Sequence, residues 1–184
     1  MDKLFNLYLN ELLKWNRKFN LTAITDPEEI KVRHFEDSLS VLQAVELTDQ
    51  KVVDIGAGAG FPGIPLKIAR PNIKLTLIEA TRKKVEFLKH LIAALELKDA
   101  EAVWGRAEDL PQYFGKFDVA VARAVAKLPI LIKYCLPYLK PGGVFIAQKQ
   151  DQVEEEAVAL KVKYRIVKVM VGGVKRSLVV IGKL

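Results

Sequence analysis

The feature that most limits what this chain can become is Val53-Asp54-Ile55-Gly56-Ala57-Gly58-Ala59-Gly60-Phe61-Pro62-Gly63, a short apolar run that breaks into closely spaced glycines. The run Lys51-Val52-Val53-Asp54-Ile55 predicts a buried strand that stops at Gly56. Glycines at this density let the backbone turn sharply and let a ligand approach without a Cβ in the way. Loops of this kind sit at the carboxyl ends of strands, where open α/β sheets bind ligands.

The rest of the chain fits such a sheet. Strands are predicted over Lys74–Glu79, Ala100–Trp104, Phe117–Ala122, Gly143–Gln148, Tyr164–Met170 and Leu178–Ile181, with helical stretches between most of them. The clearest amphipathic stripe is Leu88, Leu91, Ile92 and Leu95. The last two strands flank Gly172-Gly173 with no helix between them, which predicts a hairpin. Ahead of the first strand, Phe5, Tyr8, Leu9, Leu12 and Leu13 recur at helical spacing, and Asp26-Pro27-Glu28-Glu29 reads as an N-cap, a proline and an acidic first turn. The expectation is one α/β domain over residues 1–184: a helical cap over 1–49 and, over 50–184, a seven-stranded, mainly parallel core that ends in an antiparallel hairpin.

Charge points to the partner. Residues 1–50 carry 6 basic and 9 acidic side chains, whereas the remainder carries 23 and 13, so the whole formal excess of +7 lies beyond residue 50. A one-sided excess suits a polyanion. No apolar run reaches the ~18–20 residues of a membrane span, the amino terminus has no signal-peptide core, and the one cysteine, Cys135, lies in an apolar run where a buried thiol is expected. A cytoplasmic protein, acting as a monomer and away from membranes, is expected.

The ligand of the glycine loop is the sharper question. A dinucleotide fingerprint beginning at Gly56 and Gly58 would place its third glycine at Phe61, and the shifted match Gly58, Gly60, Gly63 begins too far past Ile55. Asp54 would be out of place beside a pyrophosphate but favourable beside a sulfonium ligand with an ammonium group. Glu79 ends the second strand, where an acid can accept from both hydroxyls of a ribose. Together with Gly56-Ala57-Gly58-Ala59-Gly60, this pair resembles the Rossmann-like class I methyltransferases, which implies S-adenosylmethionine as cofactor.

No Asn/Asp-Pro-Pro-Tyr-like tetrapeptide follows the fourth strand, where amino-group methyltransferases of nucleobases usually carry one, and Cys135 is poorly placed as a nucleophile for C5-pyrimidine chemistry. Targets that present a free lone pair remain, such as a guanine ring nitrogen, and these need alignment rather than a base. Five segments then recur in order: Leu13-Lys14-Trp15-Asn16-Arg17-Lys18-Phe19-Asn20-Leu21-Thr22, Arg33-His34-Phe35-Glu36-Asp37-Ser38, the run from Gly58 to Leu66, Gly105-Arg106-Ala107-Glu108 and Ala122-Arg123-Ala124. With them the chain resembles, over nearly its whole length, the RsmG (GidB) family of 16S ribosomal RNA 7-methylguanosine methyltransferases. It is shorter than is usual in that family, and Gln150 stands where the family tends to place glycine.

The resemblance implies methylation of a guanine N7, with 16S ribosomal RNA or the small ribosomal subunit as partner. It places cofactor contacts at Gly56, Phe61, Ala107, Glu108 and Arg123, to which the loop and strand-end arguments add Gly58 and Glu79. No general base and no metal site are expected. For RNA phosphates, the cluster Arg82-Lys83-Lys84 opposes its own helix dipole and so suits an anionic partner, and Lys149, Lys175 and Arg176 are expected at loop tips, joined by Arg17 and Lys18 if the cap flanks the cleft. His34 and Asp37, one helical turn apart, are placed to hydrogen-bond to each other, and either tie the cap to the core or stand beside the guanine. A small-molecule methyltransferase, a nicotinamide-dependent enzyme and a non-catalytic RNA-binding module stay open as alternatives.

Overall fold

The computed structural model describes residues 3–123, 126–150, 153, 157, 160 and 162–183. The cap opens with helix α1 (Lys3–Phe19), which buries Phe5, Tyr8, Leu9 and Leu12 along one stripe. After a short loop, α2 (Pro27–Ile30) starts where Asp26 accepts the Glu29 amide at 2.9 Å. It widens into a π-helical turn (Lys31–Glu36), then continues through α3 (Asp37–Leu39) and a 3₁₀ turn (Ser40–Gln43). The π turn, a rare form often found at functional sites, carries His34.

The core alternates β1 (Lys51–Ile55), α4 (Gly63–Ala69), β2 (Lys74–Glu79), α5 (Arg82–Ala94), β3 (Ala100–Trp104), β4 (Phe117–Arg123), α6 (Leu128–Cys135) and β5 (Leu139–Gln150), then closes with β6 (Tyr164–Val171) and β7 (Val174–Gly182). The seven strands lie in the order β3-β2-β1-β4-β5-β7-β6. The first five run parallel, and β7 pairs antiparallel with both β5 and β6. Strand order reverses between β1 and β4, which opens a crevice at their carboxyl ends.

Successive residues of the central strands serve opposite faces. Val52, Leu77 and Val121 join the cluster under the cap, α4 and α5, while Val53, Ile78 and Ala120 join the cluster under α6. A sheet covered on both faces explains strands that read as continuous apolar runs. Cys135 is fully buried in the second cluster.

Three details differ from the sequence expectation. The β3–β4 link contains 3₁₀ turns at Ala107–Asp109 and Pro111–Tyr113 rather than an α-helix, since Pro111 interrupts a segment too short for one. Strand β5 starts at Leu139, because Phe117 pairs with Leu139 before a register shift passes the ladder on to Val119 and Val144. Strand β7 starts at Val174, because Gly172 and Gly173, with φ of 52° and 77°, form a two-residue turn that pairs Val171 with Val174 at once. Among the described residues, no helix is long and apolar enough to cross a membrane.

Candidate active site

A cleft of about 390 Å³ opens at the switch point between β1 and β4. Its core wall comes from the loop after β1, from Glu79 and Ala80 at the end of β2, and from Arg123 at the end of β4; its cap wall comes from Leu21, Thr22 and His34. The loop leaves β1 by extending the ladder, with the amides of Gly56 and Ala57 both donating to Ile78 O at 2.8 and 3.0 Å.

Two glycines of this loop are needed for different reasons. A Cβ at Gly58, where φ is +59°, would meet no protein atom closer than Gly56 O at 3.9 Å, so this face is held open. A Cβ at Gly60 would lie 2.7 Å from the Tyr8 hydroxyl, because the cap packs directly on the loop there. The same hydroxyl donates to Ala59 O at 2.6 Å, and the Tyr8 ring stacks on Phe61 at 5.3 Å.

Glu79 is buried, with one carboxylate oxygen accepting the Gly58 amide at 3.0 Å and the other the Thr81 amide at 2.8 Å. A carboxylate offers about four lone-pair sites, so two remain for a ligand. Asp54, expected to face an ammonium group, is fully buried and off the cleft wall. Its Oδ2 accepts the Gly63 amide at 2.7 Å, and among the described residues Oδ1 has no partner. Burial raises its pKa to about 7, against the opposing pull of Gly63 and Arg123. The first amide of α4 is therefore already taken, which disfavours a pyrophosphate there.

Arg123 forms the junction between cap and core. Its guanidinium lies 4.9 Å over the Phe61 ring, bonds Asp37 at 3.1 Å, and reaches His34 Nδ1 at 3.3 Å. The Asp37 amide donates to the His34 carbonyl, but the two side chains do not pair; Arg123 bridges them. The second Asp37 oxygen takes Arg176 Nε at 3.0 Å, and Gln148 Nε2 donates to the Asp37 carbonyl at 2.6 Å. His34 stacks on Phe61 at 4.5 Å, with Nε2 2.7 Å from Thr22 Oγ1. Burial and the Arg123 charge lower its pKa to about 4, so the imidazole is neutral at pH 7.

Of the expected cofactor contacts, Gly56, Gly58, Phe61, Glu79 and Arg123 line the cleft, and Ala107 and Glu108 do not. Ala107 is buried with its carbonyl accepting the Tyr138 hydroxyl at 2.7 Å, and Glu108 faces Arg106 at 4.0 Å. Of the expected phosphate contacts, Arg82, Lys83 and Lys175 are exposed, and Lys84 reaches the cleft wall. Lys149 and Arg176 are not at loop tips. Both lie within strands, where Lys149 Nζ donates to Ala126 O at 3.0 Å and Arg176 is held by Asp37. Arg17 and Lys18 are exposed at the end of α1. Tyr8, Thr22 and Gln148 are contributors that sequence reasoning missed; the helical stripe marked Tyr8 only as core.

A family model described as GidB, rRNA small subunit methyltransferase G, matches residues 1–179. The chain belongs to the GidB family. It is 52% identical over 153 residues to "Ribosomal RNA small subunit methyltransferase G" of Alkaliphilus metalliredigens, a match covering 81% of this chain and 64% of that one. It is 45% identical to the protein of the same name from Pelotomaculum thermopropionicum, over 98% of this chain and 81% of that one. The chain thus spans just under two thirds of the length of several curated GidB relatives. Two solved structures share the GidB chain's fold. A SAM-dependent methyltransferase from Aquifex aeolicus has a TM-score of 0.67 at 15% identity, covering 88% of this chain and 96% of that one. M. jannaschii TYW2 in complex with AdoMet has a TM-score of 0.60 at 18% identity, covering 80% and 75%. The fold is therefore that of the Rossmann-like methyltransferases.

Proposed function

We propose that this GidB-family chain binds S-adenosylmethionine in the cleft between β1 and β4 and methylates N7 of a guanine in 16S ribosomal RNA, in the bacterial cytoplasm. The observation that carries this reading is the pairing of an open Gly58 face with the Glu79 carboxylate that its amide holds. Relatives named for the ribosomal small subunit supply the substrate class.

When bound, S-adenosylmethionine supplies an electrophilic methyl group to a lone pair that carries no proton, so no residue has to remove one. The chain's own groups fit that demand. Glu79 keeps two acceptor sites for vicinal hydroxyls, and Gly56 and Gly58 allow close approach of the ligand. Phe61 and Arg123 form the wall next to the cap. Ala107 and Glu108, one strand further along the sheet, are assigned to the far end of the cofactor. His34 makes a poor base, because both ring nitrogens lie near polar partners and its pKa is low. The contribution of the chain is alignment. Residues 1–184 act as one domain in this reading, since the hydrophobic cluster runs unbroken from Phe5 and Leu12 of the cap to Val121 of the sheet.

The test supplies methyl-labelled S-adenosylmethionine with 30S particles, naked 16S RNA or no RNA, followed by nucleoside analysis. Label in 7-methylguanosine is expected; label only in N6-methyladenosine, or in a small molecule, sinks the reading.

A further inference from the structure

We propose that Trp104 is a stacking platform for an unpaired base of the RNA, next to the guanine that enters the cleft. This rests on the ribosomal RNA reading above. Trp104 is the last residue of β3 and the register partner of Glu79, so it stands one strand away from the cleft wall. It is 60% exposed, although burying a side chain of this size is among the larger gains open to a fold. The ring is also held in place. Its Nε1–H donates to Ala80 O at 3.0 Å, which anchors it to a residue of the cleft wall, and the Arg82 guanidinium lies 6.0 Å from the ring centroid. An exposed ring whose orientation is already fixed loses little further freedom when a flat partner binds.

The surroundings select the partner. Arg82, which approaches the ring from the start of α5, and Arg106, two residues beyond it in sequence, keep side chains 78% and 71% exposed even though each faces a glutamate, Glu86 at 3.6 Å and Glu108 at 4.0 Å; Lys84 reaches from the same helix start to the cleft. Lys83 lies 5.5 Å over the half-buried ring of Phe19 at the end of the cap helix. Aromatic rings interleaved with unburied cations track a single strand, whose bases stack while its phosphates meet the charges. A protein partner would gain from the ring but has no equal use for the exposed cations of the helix that starts at Arg82.

The experiment compares the wild-type chain with Trp104→Ala and Trp104→Phe. The probes are an unstructured oligoribonucleotide and 16S RNA, and calorimetry with S-adenosylhomocysteine serves as a check on folding and on the cofactor site. The oligoribonucleotide is expected to quench tryptophan emission, with the quench lost in Trp104→Phe. Trp15, the other tryptophan, is packed against Phe87 and His90. Trp104→Ala is expected to weaken RNA binding roughly five- to hundred-fold, with Trp104→Phe recovering most of the loss. The salt slope stays as in the wild type, because stacking releases no counterions. Unchanged RNA affinity in Trp104→Ala overturns the proposal, as does an unquenched wild type. Loss of S-adenosylhomocysteine affinity in the folded Trp104→Phe also overturns it, by placing the ring over the cofactor. Failure of the wild type to methylate 16S RNA would instead count against the function, whatever the quench shows.

Discussion

Two of the carboxylates buried near the cleft, Asp37 and Asp54, are treated in opposite ways. Asp37, where cap meets sheet, is clamped by Arg123 and Arg176 at 3.1 and 3.0 Å. Asp54, beneath the glycine loop, has one backbone amide and no cation within bonding distance among the described residues. The first has its counter-ions brought in from β4 and β7; the second meets the cost of burial by holding a proton until about pH 7. The contrast teaches that a basic sequence does not equal a basic surface: Arg176 counts toward the +7 of the chain but is taken up by Asp37 inside it.

The contrast is best broken at Asp37. Asp37→Ala should cost about 3–5 kcal/mol in urea unfolding, since it strands two half-buried guanidinium groups; a loss below 1 kcal/mol would mean the clamp carries no weight. Asp54→Asn comes next. A folded-state pKa raised to about 7 gives stability that is full near the ordinary pKa of ~4 and is lost as pH rises toward 7. The variant should therefore gain on the wild type by up to about 4 kcal/mol between pH 4 and 8. His34, with its pKa lowered to about 4, acts in the opposite direction below pH ~6.5, but it is common to both proteins and cancels in the difference. A pH-independent difference would place the proton elsewhere.

Arg176→Ala, which leaves Asp37 one of its two cations, should cost about 1–3 kcal/mol and leave the salt dependence of RNA binding unaltered. Replacing Arg82, Lys83 and Lys84 together with Ala sharpens the comparison from the other side. Stability should change by less than about 0.5 kcal/mol per site, while the slope of log K against log salt should fall by about two to three. If Arg176→Ala flattened that slope and the triple variant did not, the two basic regions would have exchanged roles.

Much of the architecture was legible because local rules and the sheet agree. Lys51–Ile55, Lys74–Glu79 and Ala100–Trp104 begin and end as the apolar runs do. Lys140-Pro141-Gly142-Gly143 reads locally as a turn, yet β5 runs through it because β4 and β7 lie alongside. The core wall of the cleft was readable for a similar reason, since a strand end and the glycines place Gly56, Gly58 and Glu79, while Arg123 came only with the family resemblance. The cap wall was not. Tyr8 meets Ala59 across 51 positions, and Arg123 meets Asp37 across 86, distances over which no periodicity speaks. Charge counting likewise could not see that Lys149 donates to Ala126 O.

The grip of Tyr8 on the carbonyl of Ala59 means that the first helix and the ligand loop stand or fall together. Whatever settles in the crevice should slow amide exchange in a helix that does not itself form its floor, and trimming that helix from the front, which removes the buried Phe5, should weaken ligand affinity together with the melting temperature.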